Sequence, residues 1–129
     1  MFDDIRFYTC KDCDCFAIIP NAECCASDGG FCDPLSENME LLEAQTADPA
    51  TQKHVPIVEA VAGGIKVVVG STLHPMEEKH YIMGIGIVHN GMIALQKLKP
   101  GDAPEAFFPV NAPDAQAFEV CNVHGLWKN

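Results

Sequence analysis

Positive charge is scarce in this 129-residue sequence: 8 Lys and Arg stand against 18 Asp and Glu, for a formal net charge of −10. Nucleic-acid binding rests on Lys and Arg neutralising phosphates, so no nucleic-acid partner is expected. Long apolar runs are missing as well. Nothing approaches the ~20 consecutive apolar residues that cross a bilayer. The opening Met1-Phe2-Asp3-Asp4 has neither the basic nor the apolar region of a secretory signal. The expectation is a cytoplasmic chain with no membrane partner. There is no internal repeat, no low-complexity run and no helix-period stretch beyond a few residues around 39–45, which argues against a helical fold. The length suits one core of ordinary size, with room for a small appendage, and excludes a large multidomain enzyme. Apolar residues make up 48% of the chain and charged ones 20%, so it has a core to bury and is not a disordered acidic tail.

Cysteine is plentiful and unevenly placed. Cys10, Cys13, Cys15, Cys24, Cys25 and Cys32 precede residue 33, and Cys121 lies near the end. In a reducing compartment thiols in this number point to metal binding or redox chemistry rather than a disulfide framework, and an odd count leaves one unpaired in any case. The histidines, His54, His74, His80, His89 and His124, occupy the other part of the chain. Between the two regions, residues 36–52 read as a connector, with a short apolar anchor at 39–42 and then turn-forming residues around Pro49.

From Val55 onward the pattern is that of strands. Residues 55–61 and 65–69 flank Gly63-Gly64 as one hairpin. Residues 81–88 and 92–98 flank Asn90-Gly91, the pair that favours a type I′ turn, as a second. Residues 105–110 and 117–120 supply further strands after the loop at 99–104. Gly84 and Gly86 within a strand predict a bulge or a close approach by another group. The spacing of turns predicts a sandwich or barrel.

Cys121-Asn122-Val123-His124 follows the last of these strands, so a short loop can turn a thiolate and an imidazole toward one point. His74-Pro75-Met76-Glu77-Glu78-Lys79-His80 brackets a charged turn with two imidazoles, and His54 opens the first strand. Each alone has a bland alternative: a buried structural cysteine, solvated histidines, a polar strand end. Together they put four imidazoles and one thiolate at strand ends of a single small domain, a donor set for which iron is the best match. His89 is most simply a solvated turn residue, and Trp127 packs near the C-terminus.

Four segments, Lys53-His54-Val55-Pro56, His74 to His80, Leu98-Lys99-Pro100-Gly101-Asp102-Ala103-Pro104-Glu105-Ala106 and Cys121-Asn122-Val123-His124-Gly125-Leu126-Trp127-Lys128, resemble the superoxide reductases of the desulfoferrodoxin and neelaredoxin family, in the family's order. The resemblance implies an all-β fold. An immunoglobulin-like sandwich would span residues 39–129, and a small cysteine-rich, desulforedoxin-like domain residues 1–38. It implies a mononuclear iron held equatorially by His54, His74, His80 and His124 and axially by Cys121, with the sixth position open. The implied reaction is one-electron reduction of superoxide to hydrogen peroxide, with re-reduction by an outside donor such as rubredoxin. Family members are commonly dimers or tetramers, so a homo-oligomer is expected. Lys53 matches the family lysine that draws the anion inward and helps deliver protons. Many members carry a glutamate just before that lysine, and it ligates the oxidised iron; here the residue is Gln52. An amide is a poor ligand for ferric iron. A pH titration of the oxidised visible spectrum is therefore expected to show no carboxylate-ligated form.

Tyr8-Thr9-Cys10-Lys11-Asp12-Cys13 resembles the start of the desulforedoxin-type domain, in which Cys-x2-Cys and a later Cys-Cys pair hold one iron. The corresponding ligands would be Cys10, Cys13, Cys24 and Cys25. Cys24-Cys25 follows Cys13 sooner than in the family, however, Cys32 aligns nearest the usual position of the pair, and Cys15 is extra. Three readings stay open for this segment: a tetrathiolate iron, a zinc ribbon without redox function, or free thiols. For the whole chain the alternatives to an enzyme of this kind are a non-catalytic electron carrier or redox sensor and, further off, a cysteine nucleophile built on Cys121 and His124, which leaves three histidines unused.

Overall fold

The structure, a computed structural model, describes residues 2–10, 12–21, 38–46, 53–70 and 73–129. Among the described residues ten strands form three antiparallel sheets, and the only helical element is a single 3-10 turn at Phe2–Asp4. Strands β4 (Pro56–Val61), β5 (Gly64–Val69) and β8 (Glu105–Phe108) make one sheet in the order β4-β5-β8. Strands β6 (Ile82–His89), β7 (Met92–Lys97), β9 (Gln116–Cys121) and β10 (Gly125–Lys128) make another in the order β10-β9-β6-β7. In immunoglobulin lettering these are A-B-E and G-F-C-C′, the expected sandwich.

Both anticipated hairpins are present. β4 pairs β5 around Gly63, whose φ is +84°, and β6 pairs β7 around Asn90 and Gly91, with φ of 48° and 77°. Two positive φ angles in succession are what a type I′ turn requires, and Asn and Gly adopt them at least cost. Along β5, Ile65, Val67 and Val69 point inward and are buried while the residues between them are half-exposed, the period-2 signature of a sheet with one dry face. They meet Ile82, Ile85 and Ile87 of β6 and Ala106 and Phe108 of β8 to form the sandwich core.

The third sheet was not anticipated. β1 (Arg6–Cys10), β2 (Phe16–Ile19) and β3 (Met39–Leu42) pair in the order β2-β1-β3, so residues 39–42, expected as the anchor of a connector, are a strand. This sheet covers the outer face of the four-stranded one. Phe2, Ile5 and Phe7 pack with Met83, Val88, Phe118, Val120 and Leu126 in a second core, and the Phe7 and Phe118 rings meet edge to face at 4.9 Å. The consequence is visible in β6, whose first seven residues are buried on both faces. Gly86 has no side chain because a Cβ there would fall 2.2 Å from the Phe118 ring, which is the close approach its sequence implies. Forcing a methyl into such a contact typically costs ~1–3 kcal/mol.

Candidate metal centre

Antiparallel pairing brings the chemistry-bearing loops to one end of the sandwich. Pro56 pairs with Val69, so the start of β4 and the end of β5 are neighbours; Ile82 pairs with Cys121, and Cys121 with Gly125, so the start of β6, the end of β9 and the start of β10 are too. His54 precedes β4, His74 follows β5, His80 precedes β6, Cys121 ends β9 and His124 sits in the turn before β10. Sequence separations of up to 70 residues thereby collapse onto one point. Between His74 and His80 the chain closes tightly, Glu77 and His80 exchanging backbone hydrogen bonds of 2.9 and 3.0 Å.

The four imidazoles stand at the corners of a square. Successive ring centroids are 4.8 Å (His54 to His74), 4.9 Å (His74 to His80), 4.8 Å (His80 to His124) and 4.6 Å (His124 to His54), and the His54 to His80 diagonal is 6.3 Å. Neighbouring rings are nearly perpendicular, at 69–80°. His124 Nδ1 lies 3.0 Å from His54 Nε2 and 3.2 Å from His80 Nε2. Nitrogens about 2.1 Å from a shared first-row ion and at right angles to each other are about 3.0 Å apart. A single proton on His124 Nδ1 can serve only one of its two neighbours, whereas a cation at the centre serves all.

His74 gives the sharpest test of fit. Its Nδ1–H donates to the Pro75 carbonyl at 2.7 Å, which fixes the tautomer and leaves the Nε2 lone pair facing away; that Nε2 is buried and has no hydrogen-bond partner. A buried acceptor left unpaired costs ~1–3 kcal/mol, and the backbone-anchored tautomer is the usual device for aiming a metal-ligating imidazole. Burial, with the neighbouring imidazoles adding to it, pushes His74 down to about 4. His80 is also lowered, by burial first and then by the imidazoles, with Lys53 contributing.

Cys121 completes the set. It is buried, its Sγ accepts the His124 backbone N–H at 3.4 Å, and it lies 4.0 Å from His124 Nδ1. Without a cation the thiol is pushed up to about 11 by burial, with the Glu119 carboxyl adding to the rise against the lowering pull of the His124 and Val123 amides. His54, His80, Cys121 and His124 each offer a ligand atom within 4.8 Å of all the others. His74 stands outside that group, its ring 4.8 and 4.9 Å from those of His54 and His80; the four grouped donors are consistent with one iron.

Several residues that hold this arrangement carry no mark in the sequence. Asn122 stitches the Cys121 loop to the His80 loop. Its backbone N–H donates to Tyr81 O (3.1 Å), its Oδ1 accepts from Tyr81 N (2.8 Å) and its Nδ2 donates to Lys79 O (3.2 Å). Gln45 Nε2 and Trp127 Nε1 both donate to the His124 carbonyl, at 2.8 and 3.2 Å, and the Trp127 indole stacks on His54 at 4.6 Å. Glu119 is fully buried with neither carboxylate oxygen hydrogen-bonded, and burial raises it well above the usual carboxylate range. Only Trp127, a lone bulky aromatic three residues after His124, offered a hint. Asn122→Ala should lower the affinity of the centre for metal about 10- to 100-fold, the usual cost of losing an outer partner of a ligand, read by competition with a chelator.

Comparison with known proteins agrees with this geometry. The desulfoferrodoxin family model matches residues 46–129, which include His54, His74, His80, Cys121 and His124. The chain belongs to the desulfoferrodoxin family. It is 50% identical over 100 residues to the desulfoferrodoxin of Nitratidesulfovibrio vulgaris, covering 78% of this chain and 79% of that one. It is 40% identical over 130 residues to that of Desulfarculus baarsii, covering 99% and 98%. Among solved structures, the superoxide reductase from Treponema pallidum superposes with a TM-score of 0.77 at 31% identity, over 97% of each chain.

Thiols near the start of the chain, outside the segment that the family model matches, make a separate cluster. Cys10, Cys13 and Cys15 form a second group of donors within 4.8 Å of one another, with Cys13 and Cys15 Sγ 3.5 Å apart. Cys15, extra by comparison with the family pattern, is thus part of the cluster. Cys24, Cys25, Cys32 and Gln52 lie outside the described residues. His89 ends β6 with its Nδ1 3.8 Å from the Asp114 carboxylate, apart from the square.

Proposed function

We propose that this desulfoferrodoxin is a superoxide reductase whose iron is held by His54, His74, His80, His124 and Cys121. The observation that supports it most is the imidazole square with an orphaned, tautomer-locked His74 Nε2 on one side and a buried cysteine sulfur close by. When bound, the iron supplies one electron to superoxide, which takes up two protons and leaves as hydrogen peroxide.

The chain's own groups prepare that step. Cys121 as thiolate would help hold the iron and donate electron density to it, and the amides of Val123 and His124 would moderate that by hydrogen bonding to the sulfur. The Pro75 carbonyl holds His74 in its ligating tautomer. Among the described residues no carboxylate joins the group of donors. Lys53, which acts electrostatically on His80, draws superoxide into a protein that otherwise repels it and helps bring protons through water. Lys53→Ala should slow superoxide consumption about tenfold at low salt and flatten its dependence on ionic strength, with iron still bound; stopped-flow kinetics at several salt concentrations check both.

The same reading puts a second metal, iron or zinc, at Cys10 and Cys13, with Cys15 now a third candidate donor and Cys24 or Cys25 completing the set. It assigns this site to residues 1–38 and the reductase centre to residues 39–129, β3 lending a strand to the former. A rubredoxin-like donor, a homodimer or homotetramer and a cytoplasmic location complete the proposal. The test is a pulse of superoxide on the reduced protein. A superoxide reductase yields hydrogen peroxide with no oxygen, and the iron becomes oxidised in step; an iron centre that stays ferrous marks a carrier or sensor instead.

A further inference from the structure

The two clusters of donors are joined by one side chain. Asp14 sits between Cys13 and Cys15. Its Oδ2 accepts from Asn122 Nδ2 at 3.2 Å, and it lines one pocket with Tyr81. Asn122 is the neighbour of Cys121 and is itself bonded to Tyr81 N and Lys79 O, on either side of His80, so a single carboxylate from the cysteine loop holds the residue that stitches together both loops carrying those donors. The loop bearing Asp14 is itself tightly tied. Cys10 N donates to Cys15 O at 3.1 Å, Cys15 N to Cys13 O at 3.0 Å, Thr9 Oγ1 to Cys15 O at 3.1 Å, and Asp12 N to Cys10 Sγ at 3.4 Å. Sulfurs drawn onto an ion cannot shift in such a loop without carrying Asp14 along. Cys10 of one cluster and Cys121 and His124 of the other also line one cleft of about 470 Å³, together with Asn122.

We propose that Asp14 is a positioning residue that couples the two sites: a metal in the Cys10, Cys13 and Cys15 loop fixes Asp14, which clamps Asn122 and, through the bonds of Asn122 to Tyr81 and Lys79, tightens the grip of Cys121 and His80 on the iron. The proposal rests on the assignment of the reductase centre made above. The coupling needs no charge on residue 14, because an amide oxygen there can accept the same hydrogen bond from Asn122. It is also reciprocal, since occupancy of either site must favour the other by the same factor.

The test uses the iron-loaded full chain and measures loss of iron from the histidine-rich site to an excess of chelator. Electron paramagnetic resonance of the oxidised protein follows it, because histidine-rich and all-sulfur ferric sites give separate signals. Asp14→Ala and Cys13→Ser are each expected to speed that loss about tenfold, at the low end for an outer partner of a ligand. The double variant should lose iron no faster than the quicker single one, because both changes break the same link. Asp14→Asn should behave as the wild type, a rescue that general damage to the fold would not give. Wild-type rates in Asp14→Ala, or strictly additive effects in the double variant, would overturn the coupling while leaving the reductase assignment intact. Absence of any histidine-rich ferric signal in the wild type would overturn both.

Discussion

Cys121→Ser is expected to abolish the sulfur-to-iron charge-transfer absorption of the oxidised protein and to cut superoxide reduction by at least ~100-fold, since losing an outer partner alone costs up to that much. The sulfur is the only cysteine donor grouped with the imidazoles among the described residues, and serine oxygen remains a neutral hydroxyl at pH 7. The change also removes a pH dependence. In the metal-free chain the Cys121 thiol is pushed up to about 11 and His74 down to about 4. At neutral pH, therefore, His74 is ready to ligate without losing a proton, while Cys121 must release one. Each unit of rising pH below about 11 should then strengthen metal binding roughly tenfold on account of the thiol. In Cys121→Ser that contribution disappears, and a series of metal titrations from pH 6 to 8 measures the difference in slope.

His74→Leu should have effects of opposite sign with and without metal. Removing the imidazole takes one corner from the square, and iron affinity should fall at least ~100-fold. In the metal-free chain the same substitution deletes a buried nitrogen that has no partner and fills the space with an apolar side chain. Relief of an unsatisfied buried acceptor is worth ~1–3 kcal/mol, against the ~0.5–1.5 kcal/mol of the hydrogen bond to the Pro75 carbonyl that is lost with it, so the apoprotein should unfold at equal or slightly higher denaturant concentration than the wild type. Paired denaturation curves with and without metal check the reversal. A histidine buried for packing alone would give destabilisation in both.

What was legible in the sequence follows from the range of the interactions. The two hairpins announced themselves because Gly63-Gly64 and Asn90-Gly91 encode their turns locally, and the five donors did so because each lies in a short segment at a strand end. The run from Ile82 to Val88 was legible as a strand but not as one covered on both faces. Its continuous apolar character, read with Gly86, was the trace of a third layer. Strands β1, β2 and β3 escaped notice because the cysteines dominate that region and because β3 is only four residues long, its partner β1 being some thirty residues away in sequence. β10 escaped for the same reason of length. The supports of the centre were the least legible. Gln45 reaches His124 across 79 residues and Asp14 reaches Asn122 across 108, and no local pattern encodes a hydrogen bond between two loops that only the finished fold brings together.

Convergence of one sulfur and four imidazoles on a single iron is tested most directly by Mössbauer spectroscopy of the full chain, purified without air from cells grown on iron-57. The expected spectrum contains a high-spin ferrous site of mixed nitrogen and sulfur ligation, one per chain, distinct from any all-sulfur component contributed by Cys10, Cys13 and Cys15. A spectrum holding only all-sulfur iron, or no iron beyond that bound by the cysteine loop, would contradict it.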